Sequence, residues 1–205
     1  MAEDQTKTQP LLWQDEYEKL LAEMDREIHR MESEELRMKW IRYQTLIIAG
    51  GHFGLRAKEF LNLSWSQLVN KSESSAFQYK TKRKRKFYFS KNVIRLLNHN
   101  YELVNPWNIH HLVLHKQKSP MEPISTRQFN ESFARILSKC GITAANPSSH
   151  TLRKTFAHHI WADLYEKSEE GILVACEMLD HQDPKETKVY LGITDKKIKD
   201  TYLRF

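Results

Sequence analysis

Apolar positions recur at helical intervals over most of this chain and alternate over one short stretch. Between residues 11 and 36, Leu12, Tyr17, Leu20, Leu21 and Met24 fall at roughly helical spacing with charges between them, which predicts an amphipathic helix. A second helix is predicted from about Leu36 through Ile48, ended by Gly50 and Gly51, and a third from about Arg56 to Leu63. The period then shortens. Ala76-Phe77-Gln78-Tyr79 and Phe87-Tyr88-Phe89 are aromatic, strand-like runs, and Lys80 to Lys86 between them holds six basic residues in seven. This reads as a small β-hairpin with a charged connection. Helical patterns resume over 91–101, from Ser125 or Thr126 up to Gly141, and over 149–165, 168–179, 184–191 and 195–203. The expected class is mainly α with a small antiparallel β-sheet.

Composition narrows this picture. The chain has 205 residues, 40% of them apolar, enough for one domain with a sizeable core. No apolar run approaches the ~18 residues of a membrane span, and Met1 to Pro10 lacks the apolar stretch of a secretory signal. Two cysteines, Cys140 and Cys176, exclude a disulfide scaffold and a four-cysteine zinc site, so a reducing, cytoplasmic setting is expected. His111 and His115 share a helical spacing but have no carboxylate or thiolate nearby in sequence, and no metal is expected. The five tryptophans are expected as core or interface anchors.

Charge divides the chain. Residues 1–37 carry 11 acidic and 5 basic side chains, whereas 38–205 carry 15 acidic and 27 basic. The expected organisation is an acidic N-terminal helical arm, 1–37, on a basic domain, 38–205. A body this basic suits a polyanionic partner, most often nucleic acid.

Four segments carry candidate chemistry. They are Gly54-Leu55-Arg56-Ala57-Lys58-Glu59-Phe60-Leu61, the hairpin with Lys80 and Lys82, His150-Thr151-Leu152-Arg153-Lys154-Thr155-Phe156-Ala157, and Leu179-Asp180-His181 followed nine residues later by Tyr190. Taken singly, each has a plain structural reading. Arg56 is a helix surface charge, Glu59 its ion-pair partner, Tyr190 a half-buried aromatic and His150 a helix-end residue.

Taken together and in order, the segments resemble the catalytic domain of the tyrosine recombinases, the phage-integrase family. The first is similar to the family's Gly-Leu-Arg-x-x-Glu-Leu stretch, the third to its Leu-Arg-x-Thr-Phe-Ala signature with a His three places before the Arg. The step from His181 to Tyr190 matches the family's spacing. Asp180 stands where the family usually has Gly, and residues 1–37 are too few for the family's separate N-terminal DNA-clamping domain.

The resemblance implies metal-independent cleavage and rejoining of one DNA strand through a 3′-phosphotyrosine, and the residue types suit that task. Planar, permanently charged arginines, Arg56 and Arg153, clamp the phosphate, supported by Glu59. Tyr190 is the expected nucleophile. Lys80 is the expected general acid, its amine tuned by neighbouring cations, with Lys82 in reserve. His150 assists as acid or base and His181 bonds the phosphate. Lys82, Arg83, Lys84 and Arg85 are expected to contact DNA. Phe87 and Phe89 are the inward residues of their strand. No cofactor is expected.

The expected partner is double-stranded DNA. Ile198, Tyr202 and Phe205 form an apolar stripe on a short C-terminal helix expected to join copies of the chain into a homo-oligomer on DNA. The reading is thus a site-specific DNA recombinase or integrase of the kind carried by mobile elements. The alternatives are a type IB topoisomerase-like enzyme and a non-catalytic DNA-binding fragment of a recombinase.

Overall fold

The computed structural model describes residues 8–79, 81–193 and Leu203. The C-terminal stripe and the helix expected over 195–203 therefore lie outside the described residues, as does Lys80. A π-helical stretch, Trp13–Glu18, runs into α1 (Lys19–Arg30), followed by α2 (Glu34–Phe53), α3 (Ala57–Phe60), α4 (Trp65–Leu68), β1 (Glu73–Gln78), β2 (Arg83–Tyr88) and α5 (Lys91–Val104). Then come β3 (His115–Lys116), β4 (Ser119–Pro123), α6 (Thr126–Lys139) and α7 (Ser149–His159), which continues as a π-helical turn, Ile160–Leu164. Last are α8 (Glu169–Leu179) and α9 (Pro184–Tyr190).

Most helix starts carry a side-chain cap. Ser33, Ser90, Ser125 and Ser168 accept from the backbone N–H of Leu36, Val93, Gln128 and Gly171. Asp183 caps α9, with Pro184 in its first turn. The single helix predicted over 11–36 is broken at Met31, whose ψ of 121° is extended, and Ser33 starts a new helix.

The prediction that Gly50 and Gly51 end a helix is wrong. The helix α2 runs through both and stops at Gly54, which takes the left-handed φ of 56°. The glycines at 50 and 51 serve close packing instead. A Cβ on Gly50 would lie 2.8 Å from Leu152, and one on Gly51 would lie 2.4 Å from the Tyr17 ring. The hairpin is longer than expected, with Phe77 opposite Lys84, Ala76 opposite Arg85 and Gln78 opposite Arg83. A second hairpin, β3–β4, was not legible. His115 lies in its first strand and His111 precedes it, so the two do not share a helix face.

From Leu11 to Ile28 the acidic N-terminal segment packs into the body. Leu11, Tyr17, Leu20, Met24 and Ile28 are buried in the same core as Leu46, Ile47, Phe60, Phe129 and Leu152. The Tyr17 hydroxyl donates to the Ile47 carbonyl, 3.1 Å away, and the Leu11 N–H to Thr155 Oγ1, 2.9 Å away. The core thus continues across residue 37. Below it, Asn100 donates to Gln44 Oε1 and Thr45 Oγ1 at 3.1 Å each, tying α5 to α2. Trp65 is fully buried, whereas Trp107 stands exposed. No helix among the described residues is long and apolar enough to cross a membrane.

Candidate active site

Two helix ends meet at the site. The chain leaves α2 at Gly54, turns, and starts α3 with Arg56 at its N-cap. Nearby, α8 ends at Asp180, which is also left-handed, with φ of 55°. Gly54 is required twice over, because a Cβ there would also lie 2.2 Å from the Phe156 ring.

Three guanidinium groups gather on the carbonyls of these two helix ends. Arg153, on α7 and only 3% exposed, donates to Gly54 O and, at 2.6 Å, to Leu179 O. Arg85, on β2, donates to Phe53 O at 2.7 Å and to Gly54 O at 3.2 Å. Arg56 donates to Glu59 Oε1 at 3.2 Å and reaches Asp180 O at 3.5 Å, while its N–H bonds Glu59 Oε2 at 2.9 Å. The carboxylate of Glu59 is buried. Carbonyls at helix C-termini carry partial negative charge, which offsets the repulsion among three close cations. Burial, with the neighbouring arginines, lowers Arg85 and Arg153 to about 10, so both stay charged at neutral pH.

The histidines and the tyrosine lie beside this cluster. His181 Nδ1 is 2.9 Å from Thr187 Oγ1, which orients the ring, and the ring meets Tyr190 edge-on at 5.5 Å. Burial, aided by Arg153, lowers His181 to about 4, so it is neutral at pH 7. His150, in the first turn of α7, is likewise lowered by burial and by the Arg153 charge. The Tyr190 hydroxyl is buried and, among the described residues, makes no hydrogen bond of normal length, although it lies close to the Arg153 guanidinium. Burial pushes its phenol up to about 12, against the opposing pull of Arg153 and Arg56. The ammonium of Lys154 lies 5.3 Å from the Tyr190 ring centroid and donates to Thr8 O at 2.7 Å.

A cleft of about 440 Å³ opens over the cluster, lined by Arg56, Thr81, Arg83, Asp180, His181, Gln182 and Glu186. The structure therefore brings together Arg56 and Glu59 from the start of α3, His150 and Arg153 from α7, His181 from the turn between α8 and α9, and Tyr190 from the end of α9. It sets Arg83 at the cleft and leaves Lys82, Lys84 and Lys86 exposed on the hairpin. Arg85 departs from its expected place among outward DNA contacts, since its fork is turned inward onto two backbone carbonyls. Alternation could have shown this, because Arg85 shares the inward parity of Phe87 and Phe89. Sequence reading also missed Thr187, three residues before Tyr190, and Lys154. The first follows from helical spacing, and the second has no sequence signal.

Comparison with known proteins agrees with this geometry. The model of the phage integrase family matches residues 10–197. The Bacillus subtilis (strain 168) probable integrase/recombinase YoeC is 29% identical over 160 residues, which is 78% of this chain and 82% of that protein. Among solved structures, the XerH site-specific recombinase bound to a palindromic difH substrate superposes with a TM-score of 0.66 at 19% identity, covering 96% of this chain and 53% of that one. The XerA recombinase superposes at 0.64 and 17% identity, covering 96% of this chain and 65% of that one. The chain thus spans about half the length of XerH, and the likeness to both is one of fold. With a family match across nearly the whole chain, and with the family's motif residues clustered in space, this protein belongs to the phage integrase family.

Proposed function

We propose that this chain cuts and rejoins one strand of double-stranded DNA through Tyr190, as the catalytic unit of a site-specific recombinase. The observation that carries the reading is the clustering of Arg153 and Tyr190, both buried, directly beside Arg56 and His181, which line the cleft. Arg56 and Arg153 would each present remaining N–H groups to the non-bridging oxygens of the scissile phosphate, where negative charge grows in the transition state. Removing one such donor typically costs ~3–4 kcal/mol of barrier. The Tyr190 oxygen attacks phosphorus, forming a 3′-phosphotyrosyl bond, and the bond to the 5′ oxygen breaks. The phenol proton passes to a neutral histidine, His181 or His150, and the leaving oxygen takes a proton from Lys80 on the hairpin, with Lys82 as the second choice. Attack by a 5′-hydroxyl of the same or another duplex reverses these steps, so no external energy donor enters.

Glu59 and the fixed backbone carbonyls hold the arginines before the substrate arrives. DNA-bound XerH supports duplex DNA as the partner. Assembly of copies on DNA through the segment 195–205 is the finer part of the proposal.

The test is a pool of nicked duplexes with randomised cores, incubated with the protein and denatured in detergent. The expected result is a covalent protein–DNA adduct that disappears in Tyr190→Phe and survives chelation of divalent ions. Absence of any adduct, or an adduct that persists in Tyr190→Phe, overturns the reading. Strand exchange between two captured duplexes separates a recombinase from a topoisomerase-like enzyme.

A further inference from the structure

The β1–β2 hairpin has two unlike faces. On the inner face Ser74 opposes Phe87, Ala76 opposes Arg85 and Gln78 opposes Arg83, and most of these side chains are covered by the body. On the outer face Phe77 opposes Lys84, Ser75 opposes Lys86 and Glu73 opposes Tyr88. Phe77 is 46% exposed, Tyr79 47% and Tyr88 68%, a large aromatic exposure for six-residue strands. The rings of Phe77 and Tyr79 meet edge-to-face at 5.3 Å near the tip, so they hold each other upright. Lys84 stands across from Phe77, and Lys86 lies between it and Tyr88. Four residues of strand put Tyr88 ~13 Å from the tip pair.

An exposed sheet face that alternates aromatic rings with lysines matches one chemistry well. Rings stack on bases of any sequence, and lysines between them neutralise the phosphates that link those bases. A paired base hides its faces, so the face suits unpaired nucleotides. The spacing of ~13 Å accommodates about four stacked nucleotides at 3.4 Å each. The location agrees, because Thr81 and Arg83 at the tip of the same hairpin line the candidate cleft. Glu73 lies at the end away from the tip, across from Tyr88, so the acidic group is kept apart from Lys84 and the tip pair.

We propose that the outer face of this hairpin, with Phe77, Tyr79, Lys84, Lys86 and Tyr88, is a stacking platform for unpaired nucleotides next to the cleavage site. The inference rests on the strand-cutting reading for the origin of the strand. A strand freed at its 5′ end must leave its own duplex before joining another, and the platform holds its bases during that step. A free polyanion has no such role without bases to stack, so base-bearing single strands are the specific ligand.

The test needs neither cleavage nor a known target. Anisotropy is measured on a labelled oligothymidylate of roughly 20 nucleotides and on a labelled blunt duplex of similar length, with the full chain. Phe77→Ala and Tyr88→Ala are each expected to weaken oligothymidylate binding about 5- to 100-fold while changing duplex binding less than about twofold. Lys84→Gln with Lys86→Gln is expected to lower the salt slope for oligothymidylate by about 0.7 per lost contact. These side chains are exposed, and far-ultraviolet circular dichroism confirms that the variants fold. Equal loss on both ligands, or no loss on oligothymidylate, overturns the platform. Because adduct formation with nicked duplex is scored separately, the platform can fail while the strand-cutting reading stands, and the reverse.

Discussion

Arg85 and Arg153 donate to one acceptor, the carbonyl oxygen of Gly54. The first comes from the hairpin and the second from α7, so this atom locks the hairpin to α7. A hydrogen bond to a charged donor contributes about 1.5–3 kcal/mol, and Arg85 makes two. Arg85→Gln is therefore expected to lower the denaturant midpoint and slow adduct formation, yet leave the salt slope of duplex binding unchanged. Arg83→Gln, at the cleft, is expected to lower that slope by about 0.9 with little loss of stability. A changed slope in Arg85→Gln would place its guanidinium on DNA.

Tyr190→Phe removes a buried hydroxyl that makes no hydrogen bond of normal length among the described residues, beside Arg153. An unsatisfied buried polar group costs about 1–3 kcal/mol. The variant is thus expected to be as stable as the parent or more stable by about 1 kcal/mol, while forming no adduct. Thermal denaturation without DNA measures this. Clear destabilisation would show that the hydroxyl bonds something in solution.

Asp180 holds a left-handed conformation, φ 55°, where the family's usual residue is glycine. That conformation costs an L-residue roughly 1 kcal/mol relative to glycine, less for Asp than for most. Asp180 also lines the cleft that would receive a phosphate, which brings a negative charge beside it. Asp180→Gly is expected to raise the melting temperature slightly and tighten DNA binding, read as the dissociation constant at fixed salt. Weaker binding would assign the carboxylate a positive role, such as orienting Arg153 or His181.

Burial lowers His52 and His181 from 6.5 to about 4 each. Between these values the unfolded chain holds protons that the folded chain does not. Stability is therefore flat above about pH 7 and falls as pH drops from 6.5 toward 4, by up to about 1.4 kcal/mol per pH unit for each group. His115, His150 and His158 shift the same way. Urea midpoints across this range measure the slope, and His52→Gln is expected to reduce it by one proton's share. A slope unaltered by His52→Gln would mean that this ring titrates normally in the folded chain.

Much of the molecule follows from local sequence alone. Serine caps, Pro184 and helical periodicity mark α5 to α9 to within a few residues, because those signals act within one turn of the chain. Strand alternation places the hairpin and tells inner from outer side chains. The order and spacing of Arg56, His150, Arg153, His181 and Tyr190 identify the family. What local sequence lacks is the identity of a neighbour. Gly50 and Gly51 look like a helix stop, yet they exist because Leu152 and Tyr17, remote in sequence, press against α2. The acidic segment looks like a solvated arm, yet its apolar stripe completes the core beside α2. Alternation puts Arg85 on the inner face, yet only the folded chain supplies the two carbonyls at the end of α2 that its guanidinium bonds. In each case a short-range pattern admits several solutions. Tertiary packing selects among them, because burying apolar surface and satisfying buried polar groups depend on contacts that only the folded chain creates.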